Sequence, residues 1–273
     1  MKYEVFTNSN KIISIMSKKT ILSGLILAML IQTSVYAQDA LEISNKATQV
    51  IAFDAMEMTS TLKIIDNKGN VRTRQVSNST KKFADVTKTL IKFISPADVK
   101  GTAMLIYDYE NKDDDMWVYL PSLHKTRRIV SSEKSNSFMG SEFSNSDMSK
   151  PNTADFDYKL LGTETINGKV CWKVESKCKT EDIKKALKFS RKVSFIEKET
   201  YLTQKIEFYN LENKLFKTET MSDYKKFTSG KYFAYKMAIV NHLTNRKSEI
   251  IIDKLTEGSK LLESYFTTTN LEK

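Results

Sequence analysis

Runs of alternating apolar and polar residues, separated by short turn signals, recur from residue 56 to residue 254 and constrain the fold more than any other feature. Met56–Ile65 alternates with period two, Asp66–Asn70 is a turn that contains Gly69, and Val71–Ser77 returns. Period two is the pattern of a β-strand, and a glycine in such a turn supplies positive φ. The sequence therefore predicts an antiparallel hairpin over residues 56–77.

Similar runs continue along the chain at the spacing of a meander. They are Thr87–Ser95, Thr102–Tyr109, Met116–Leu120, Lys125–Val130, Asp157–Leu161, Val170–Lys177, Arg191–Ile196, Tyr201–Tyr209, Lys214–Lys225, Tyr232–Asn241 and Glu249–Lys254. A long, flat, open sheet would expose its edges. We therefore expect a mainly β fold, a large antiparallel sheet of eleven or more strands that curls or closes.

Helical patterns are few. Residues 40–54 carry one apolar stripe at helical spacing, and Lys179–Lys188 and Ser259–Phe266 are candidates for short helices. With three prolines in the chain and no Pro/Gly/Ser-rich linker, we predict a single domain over residues 38–273.

The N-terminal 37 residues have the pattern of a secretion signal. Lys18 and Lys19 precede the apolar run Ile21–Ile31, and Val35–Ala37 ends it with a small residue. A run of about 11 residues is too short to span a bilayer, which takes roughly 20. We predict cleavage after Ala37, export to the periplasm, and a soluble mature chain, since no cysteine near this site offers a lipid-anchor acceptor.

The mature chain is basic, and its two cysteines are predicted to be free. Without the four lysines and one glutamate of residues 1–37, the formal net charge falls from +10 to +7. Such a surface suits anionic lipid or nucleic acid, and export argues against nucleic acid. On one extended strand, Cys171 and Cys178 would lie roughly 23 Å apart, whereas a disulfide needs about 4.4–6.8 Å.

No catalytic or metal-binding constellation is recognisable in the sequence. The two histidines, His124 and His242, have no motif partners, and Ser131–Lys134 fits S-x-x-K without its companion motif. Asp113–Asp115 lacks the glycine and glutamate of a calcium loop. We expect a protein that is not an enzyme and has no cofactor and no metal.

Two predicted strands have apolar residues on both faces. Thr102–Tyr109 places Ala103, Leu105 and Tyr107 on one side with Met104 and Ile106 on the other, and Met116–Leu120 is apolar throughout. A solvated antiparallel sheet would alternate. Either both faces are covered by packed core, or one face lines an apolar cavity.

The loop Ser135–Met148 is polar and flexible in composition, yet it contains large apolar side chains. Phe138, Met139, Phe143 and Met148 interrupt serines and asparagines. Apolar side chains in such a loop are stabilised only where they cover something. They either plug the core of the sheet or form a lid over an apolar cavity.

The segment from Ser95 to Met148 resembles a known family. It contains SPADVKGTAMLIYDY, DDDMWVYLPSLHKTRRI and SSEKSNSFMGSEFSNSDM. These stretches are similar to the outer-membrane lipoprotein-sorting (LolA-like) proteins, and most of all to the branch often associated with exporters of the resistance-nodulation-division (RND) class. The similarity runs on through DYKLLGTETINGKVCWKVES, so it covers roughly residues 56–271.

The resemblance implies a fold and a function. The fold is an incomplete, half-open antiparallel β-barrel of about 11 strands closed by a few helices, around a cavity that shields acyl chains. The function is that of a periplasmic carrier or chaperone for lipids or lipoproteins. The alternative is a non-enzymatic accessory protein of an inner-membrane RND-type exporter.

Combined with the two-faced strands and the loop, the resemblance gives a set of candidate ligand-binding residues. They are Met104, Ile106, Trp117, Tyr119, Phe138, Met139 and Phe143. The family's carrier is known for an arginine that governs its open and closed states, and Arg127 and Arg128 are the candidates by position.

Overall fold

The computed structural model describes residues 39–110 and 112–272, which form one large antiparallel sheet with two helices. The predicted signal peptide, residues 1–37, lies outside the described residues. The helices are α1 (residues 39–49) and α2 (Glu181–Leu187). The strands are β1 (Ala55–Ile65), β2 (Val71–Phe83), β3 (Val86–Ser95), β4 (Ala103–Tyr109), β5 (Asp115–Leu120), β6 (Lys125–Ile129), β7 (Phe156–Ile166), β8 (Lys169–Cys178), β9 (Arg191–Glu197), β10 (Thr203–Tyr209), β11 (Leu215–Lys226), β12 (Tyr232–Asn241) and β13 (Arg246–Glu257).

The strand order explains how one loop comes to lie across the sheet. The order is β6-β5-β4-β3-β2-β1-β13-β12-β11-β10-β9-β8-β7. Strands β6 and β7 follow each other in sequence yet form opposite edges. Their connection, residues 130–155, must therefore pass from one edge to the other across a face of the sheet. This connection contains the loop Ser135–Met148 described above. We call residues 135–148 the lid.

The predicted hairpins form because their turn residues bind their own backbone. The Asp66 carboxylate accepts the N–H groups of Lys68 and Asn70 at 2.8 and 2.9 Å, and Gly69 has φ 86°. Asn210 repeats the arrangement by accepting the N–H of Lys214 at 2.8 Å. Such turns join neighbouring antiparallel strands directly. The meander predicted from the sequence is confirmed, with thirteen strands rather than about eleven.

The sheet stays open: its order is linear, and within the described residues β6 and β7 do not pair with each other. Five strand pairs contain a register shift. Bulges of this kind bend and twist strands, and a sheet this wide does not lie flat. The half-open antiparallel fold expected from the sequence is therefore confirmed.

Residues that oppose each other across paired strands share a face, which defines two sides of the sheet. The front face carries Leu62, Met104 and Val174, and the back face carries Leu90, Leu105 and Cys171. On the back face, Leu90, Ala103 and Leu105 pack under Phe266 and Leu271 from the C-terminal segment.

That C-terminal segment corrects one prediction. Ser259–Phe266 is not an α-helix but a loop that ends in the 3-10 turn Glu263–Tyr265, and Thr268–Leu271 follows as a second turn. Phe266 and Leu271 are both fully buried. Residues five apart on an α-helix point in directions about 140° apart. Irregular turns are therefore needed to bring both side chains onto the sheet.

Both cysteines lie on β8, and both are free, as predicted. Cys171 opposes Glu197 on the back face, and Cys178 opposes Phe156 on the front face. The two cysteines are seven positions apart on an unbroken strand, and because this number is odd their side chains point to opposite sides.

Candidate functional site

The front face carries apolar residues from one half of the sheet to the other. Strand pairing places Leu62, Ile250, Met237 and Met221 opposite one another in turn. A second row starts two residues earlier on β11 and runs through Glu219, Ile206, Ser194 and Val174. We call the two rows together the front-face line. Met237, Met221, Ile206 and Ile250 in the middle are half-buried, whereas Leu62 and Val174 are fully buried.

The lid covers one end of this line. Phe138 and Phe143 are buried together with Met104 and Ile106 of β4, and Met139 packs against the same cluster. The Phe138 ring lies 5.6 Å from the ring of Phe93. The candidate residues Met104, Ile106, Phe138, Met139 and Phe143 are therefore brought together, and in this conformation the lid fills the space above β4.

Helix α1 covers the other end of the line. Its buried residues Ala40, Ile43 and Ala47 follow helical spacing and pack on Val174 and Ile196. The apolar stripe predicted for residues 40–54 is confirmed at Ile43 and Ala47, but the helix ends at residue 49 and Ile51 and Ala52 beyond it are exposed. Two separate covers therefore share one sheet face.

Polar side chains of β11–β13 hold the lid at Glu142. Lys217 Nζ donates to the Glu142 carbonyl at 2.7 Å, and Asn241 Nδ2 donates to its Oε2 at 2.8 Å. The Glu142 N–H donates to Ser248 Oγ at 3.0 Å, and Arg246 Nε lies 3.0 Å from Oε1. These contacts are polar, and each joins a side chain of the sheet to the lid rather than one strand to another.

One arginine also contacts the lid. The Arg74 guanidinium donates to the carbonyl of Met139 and stacks 5.8 Å from the Phe93 ring. Burial lowers the pKa of Arg74, and the neighbouring Arg72 lowers it further. Arg127 and Arg128, the candidates by position for the state-governing arginine, lie exposed on edge strand β6 and pair with Glu133 and Asp115 respectively, and neither of these two ion pairs involves the lid.

Trp117 and Tyr119 are not part of the front face. Trp117 opposes Leu105 and Tyr119 opposes Ala103, which places both in the back-face cluster with Phe266. The prediction grouped them with Met104 and Ile106, because sequence alone does not give the register between β4 and β5. The pairing makes Met116 and Val118 the β5 partners of Ile106 and Met104.

A cavity of about 420 Å³ opens beside the lid, between it, α2 and the ends of β10–β13. Its wall is formed by Arg72, Ser135, Ser137, Gly140, Ser141, Glu142, Phe143, Ser144, Asp147, Leu187, Lys188, Phe189, Phe208, Phe216, Lys217, Asn241 and Arg246. The volume falls within the range of small-molecule sites, about 300–1,000 Å³. Aromatic rings and cations are mixed on this wall.

Charged side chains on the front face lie close to this cavity. Burial raises the pKa of Glu219 to about 8; Asp147 adds to the rise, while Lys192 and Lys217 oppose it. Burial lowers the pKa of Lys192. Sequence reasoning missed Arg74, Glu142 and Glu219, because their roles depend on the packing of the lid and the pairing of distant strands, which sequence spacing does not encode.

Within residues 39–110 and 112–272, no three His, Cys, Asp or Glu side chains are placed to hold a metal ion. None of the helices in this part of the chain is both long and apolar enough to cross a membrane.

The open antiparallel sheet matches the LolA-like fold. The model of a family described as "Uncharacterized protein" matches residues 85–273, and the chain belongs to that family. Among curated proteins, no match was found.

Solved structures support this assignment. A Vibrio parahaemolyticus domain named as an outer membrane lipoprotein-sorting protein is 28% identical with a TM-score of 0.80, over 87% of this chain and 100% of that one. A DUF1329 family protein from Desulfovibrio piger is 29% identical with a TM-score of 0.80, over 86% and 99%. A LolA superfamily protein from Nitrosomonas europaea shares the fold, at 18% identity and a TM-score of 0.66, over 86% and 99%.

Proposed function

We propose that the protein is a periplasmic carrier that shelters the acyl chain of a lipid or lipoprotein on the front face of its sheet. The observation that carries this proposal is the line from Leu62 to Val174, which is apolar except at Glu219 and Ser194. It runs beneath two separate covers, and its apolar residues between them are half-buried. The name of the Vibrio domain, an outer membrane lipoprotein-sorting protein, supports the same class of cargo.

Burial of an acyl chain supplies enough free energy for binding without any chemical step. Each buried methylene contributes about 0.8 kcal/mol, so ten contribute on the order of 8 kcal/mol before ordering costs. The lid is held by a few hydrogen bonds and two phenylalanines, so its displacement would expose Met104 and Ile106 to the chain. When the cargo enters, its acyl chain replaces Phe138 and Phe143 as the apolar group that packs on Met104 and Ile106.

A second candidate is an interaction subunit of an RND-type exporter, in which the lid stays permanently packed. It is favoured by the burial of Phe138 and Phe143, whose side chains are 3% and 2% exposed. In that case Phe138, Phe143 and the residues packed beneath them are ordinary core. The basic surface of the mature chain then binds the exporter.

Two glutamate substitutions on adjacent residues of β4 separate these functions. Ile106 lies under the lid and Leu105 under the C-terminal segment, and both are fully buried. If the lid moves, Ile106→Glu abolishes binding of a fluorescent fatty acid while the fold persists, since water reaches the new carboxylate. Leu105→Glu leaves a charge in sealed core and destabilises the fold by several kcal/mol.

The readouts are thermal melting, fatty-acid titration, and mass spectrometry of lipid extracted from the purified parent protein. No lipid, no fatty-acid binding, and unfolding of both variants would contradict the carrier function and favour the exporter subunit.

A further inference from the structure

We propose that the cavity beside the lid holds the acidic head group, a phosphate or a carboxylate, of the amphiphile whose chain lies on the front face. This inference rests on the proposed function and specifies its cargo as anionic.

The charges on the cavity wall favour an anion. Four of its side chains are cationic: Arg72, Lys188, Lys217 and Arg246. Two are acidic, and both are already engaged by protein groups. Glu142 is bound as described above, and an oxygen of Asp147 accepts the Ser144 N–H at 2.7 Å. Among the described residues, the wall therefore carries four cations and two carboxylates, a formal net charge of +2 (4 − 2).

Unpaired polar atoms mark the same cavity. In the described part of the chain, two buried side-chain polar atoms have no hydrogen-bond partner, Ser135 Oγ and Arg246 Nε. Both residues line this cavity. Arg246 Nε is close to Glu142 Oε1, but the contact is ionic only, because the N–H does not point along it. A buried donor without an acceptor is costly, and a head-group oxygen would supply that acceptor.

The apolar part of the wall leads from the head-group position toward the front-face line. Phe208 lines the cavity, and Ile206, two residues along β10, belongs to the line. Phe189 lies 5.6 Å from Phe208 and widens this apolar path. An amphiphile with its head group at Arg72 and Arg246 would thus have its chain on Phe208 and then Ile206.

The lowered pKa of Arg74 also indicates an excess of positive charge near the lid. Arg72 is one of the groups that lower the pKa of Arg74, after burial. Both arginines lie on the front face of β2, opposite Ile64 and Leu62. A bound anion would relieve this like-charge repulsion, whereas a cationic head group would add to it.

The test compares three ligands by isothermal titration calorimetry below the micelle concentration: dodecyl phosphate, dodecyl maltoside and inorganic phosphate. The variant is Arg72→Gln with Lys188→Gln, because both side chains are exposed at the cavity and neither contacts Glu142. The control is Lys254→Gln with Lys260→Gln, which removes the same charge at exposed positions outside the cavity wall.

We expect dodecyl phosphate to bind at least tenfold more tightly than dodecyl maltoside, and inorganic phosphate to bind weakly. The cavity variant should lose about tenfold in dodecyl phosphate affinity and keep its dodecyl maltoside affinity, while the control changes neither. Equal binding of both dodecyl ligands would overturn the head-group site and leave the carrier function standing. Failure of both to bind would overturn the carrier function. Tight binding of inorganic phosphate alone would contradict the amphiphile and indicate a free-anion site.

Discussion

The ring of Phe138 packs against the ring of Phe93 at a centroid separation of 5.6 Å and a tilt of 40°, and so joins the lid to strand β3. Both side chains are buried, but only Phe93 belongs to the sheet. The contact therefore holds the lid against the sheet. For strand β3, the same contact is part of the hydrophobic core.

This difference predicts unequal effects of truncating the two rings. Phe93→Ala should lower the free energy of unfolding by about 3–5 kcal/mol, the usual loss for a buried phenylalanine. Phe138→Ala should cost less than half of that, because the lid can detach while the strands remain paired. Hydrogen exchange over residues 135–148 should accelerate in Phe138→Ala. Equal losses with no local change in exchange would show that the lid is not a separable unit.

Glu219 predicts a pH dependence of stability. In the unfolded chain its carboxyl ionises near pH 4.5, whereas the folded chain keeps the proton up to about pH 8. Between these values the folded state binds more protons, so the free energy of unfolding falls as the pH rises from 4.5 to 8. The pKa difference of about 3.5 units (8 − 4.5), at about 1.4 kcal/mol per unit, makes Glu219→Gln up to about 5 kcal/mol more stable than the parent at pH 8.5.

Urea unfolding at pH 4.5 and pH 8.5 measures this effect. The two proteins should be nearly equally stable at pH 4.5. The exposed Glu212→Gln serves as a control and should match the parent at both values. A Glu219→Gln variant with the same stability as the parent at pH 8.5 would show that this carboxyl is not desolvated in the folded protein.

The thiols should be inert in the native protein. Cys171 and Cys178 are 0% and 2% exposed, and burial raises both pKa values, that of Cys178 to about 11. A thiolate is the reactive form, so an aromatic disulfide reagent should react only on unfolding, and then with two equivalents. Rapid reaction of the native protein, or a bridge between the two residues, would contradict their placement on one strand.

Strand periodicity predicted most of the sheet, because residues on one extended strand alternate regardless of what the strand pairs with. The alternation in Met56–Ile65 and in the two-faced strand Thr102–Tyr109 is local information. The correct separation of Met104 and Ile106 from Leu105 followed from it.

The grouping of Trp117 with Met104 was wrong, because register between strands is a non-local property. Leu105 opposes Trp117, and one residue of shift would have reversed the assignment. The lid contacts of Arg74 and Glu142 were also beyond prediction. They depend on a loop that crosses the sheet from β6 to β7, and sequence spacing does not encode that path.

Export remains a prediction. The mature N-terminus should be at or near Gln38, because Val35–Ala37 follows the apolar run Ile21–Ile31 and ends in a small residue, as signal-peptide cleavage sites do. N-terminal sequencing of periplasmic material measures it directly. Retention of residues 16–37 in that material would contradict the secretion signal and remove the periplasmic assignment.

The most direct test of the carrier function asks which face of the sheet the acyl chain touches. Phe208 and Tyr209 are neighbours on β10; Phe208 lies on the front face beside the cavity, and Tyr209 packs against the back-face cluster of Cys171, Val193 and Phe195. With Trp117 and Trp172 replaced by phenylalanine, Phe208→Trp and Tyr209→Trp each provide a single reporter. A fatty acid brominated along its chain should quench the fluorescence of Trp at 208 strongly and that at 209 little. Equal quenching at both positions, or quenching at 209 alone, would contradict a chain bound on the front face.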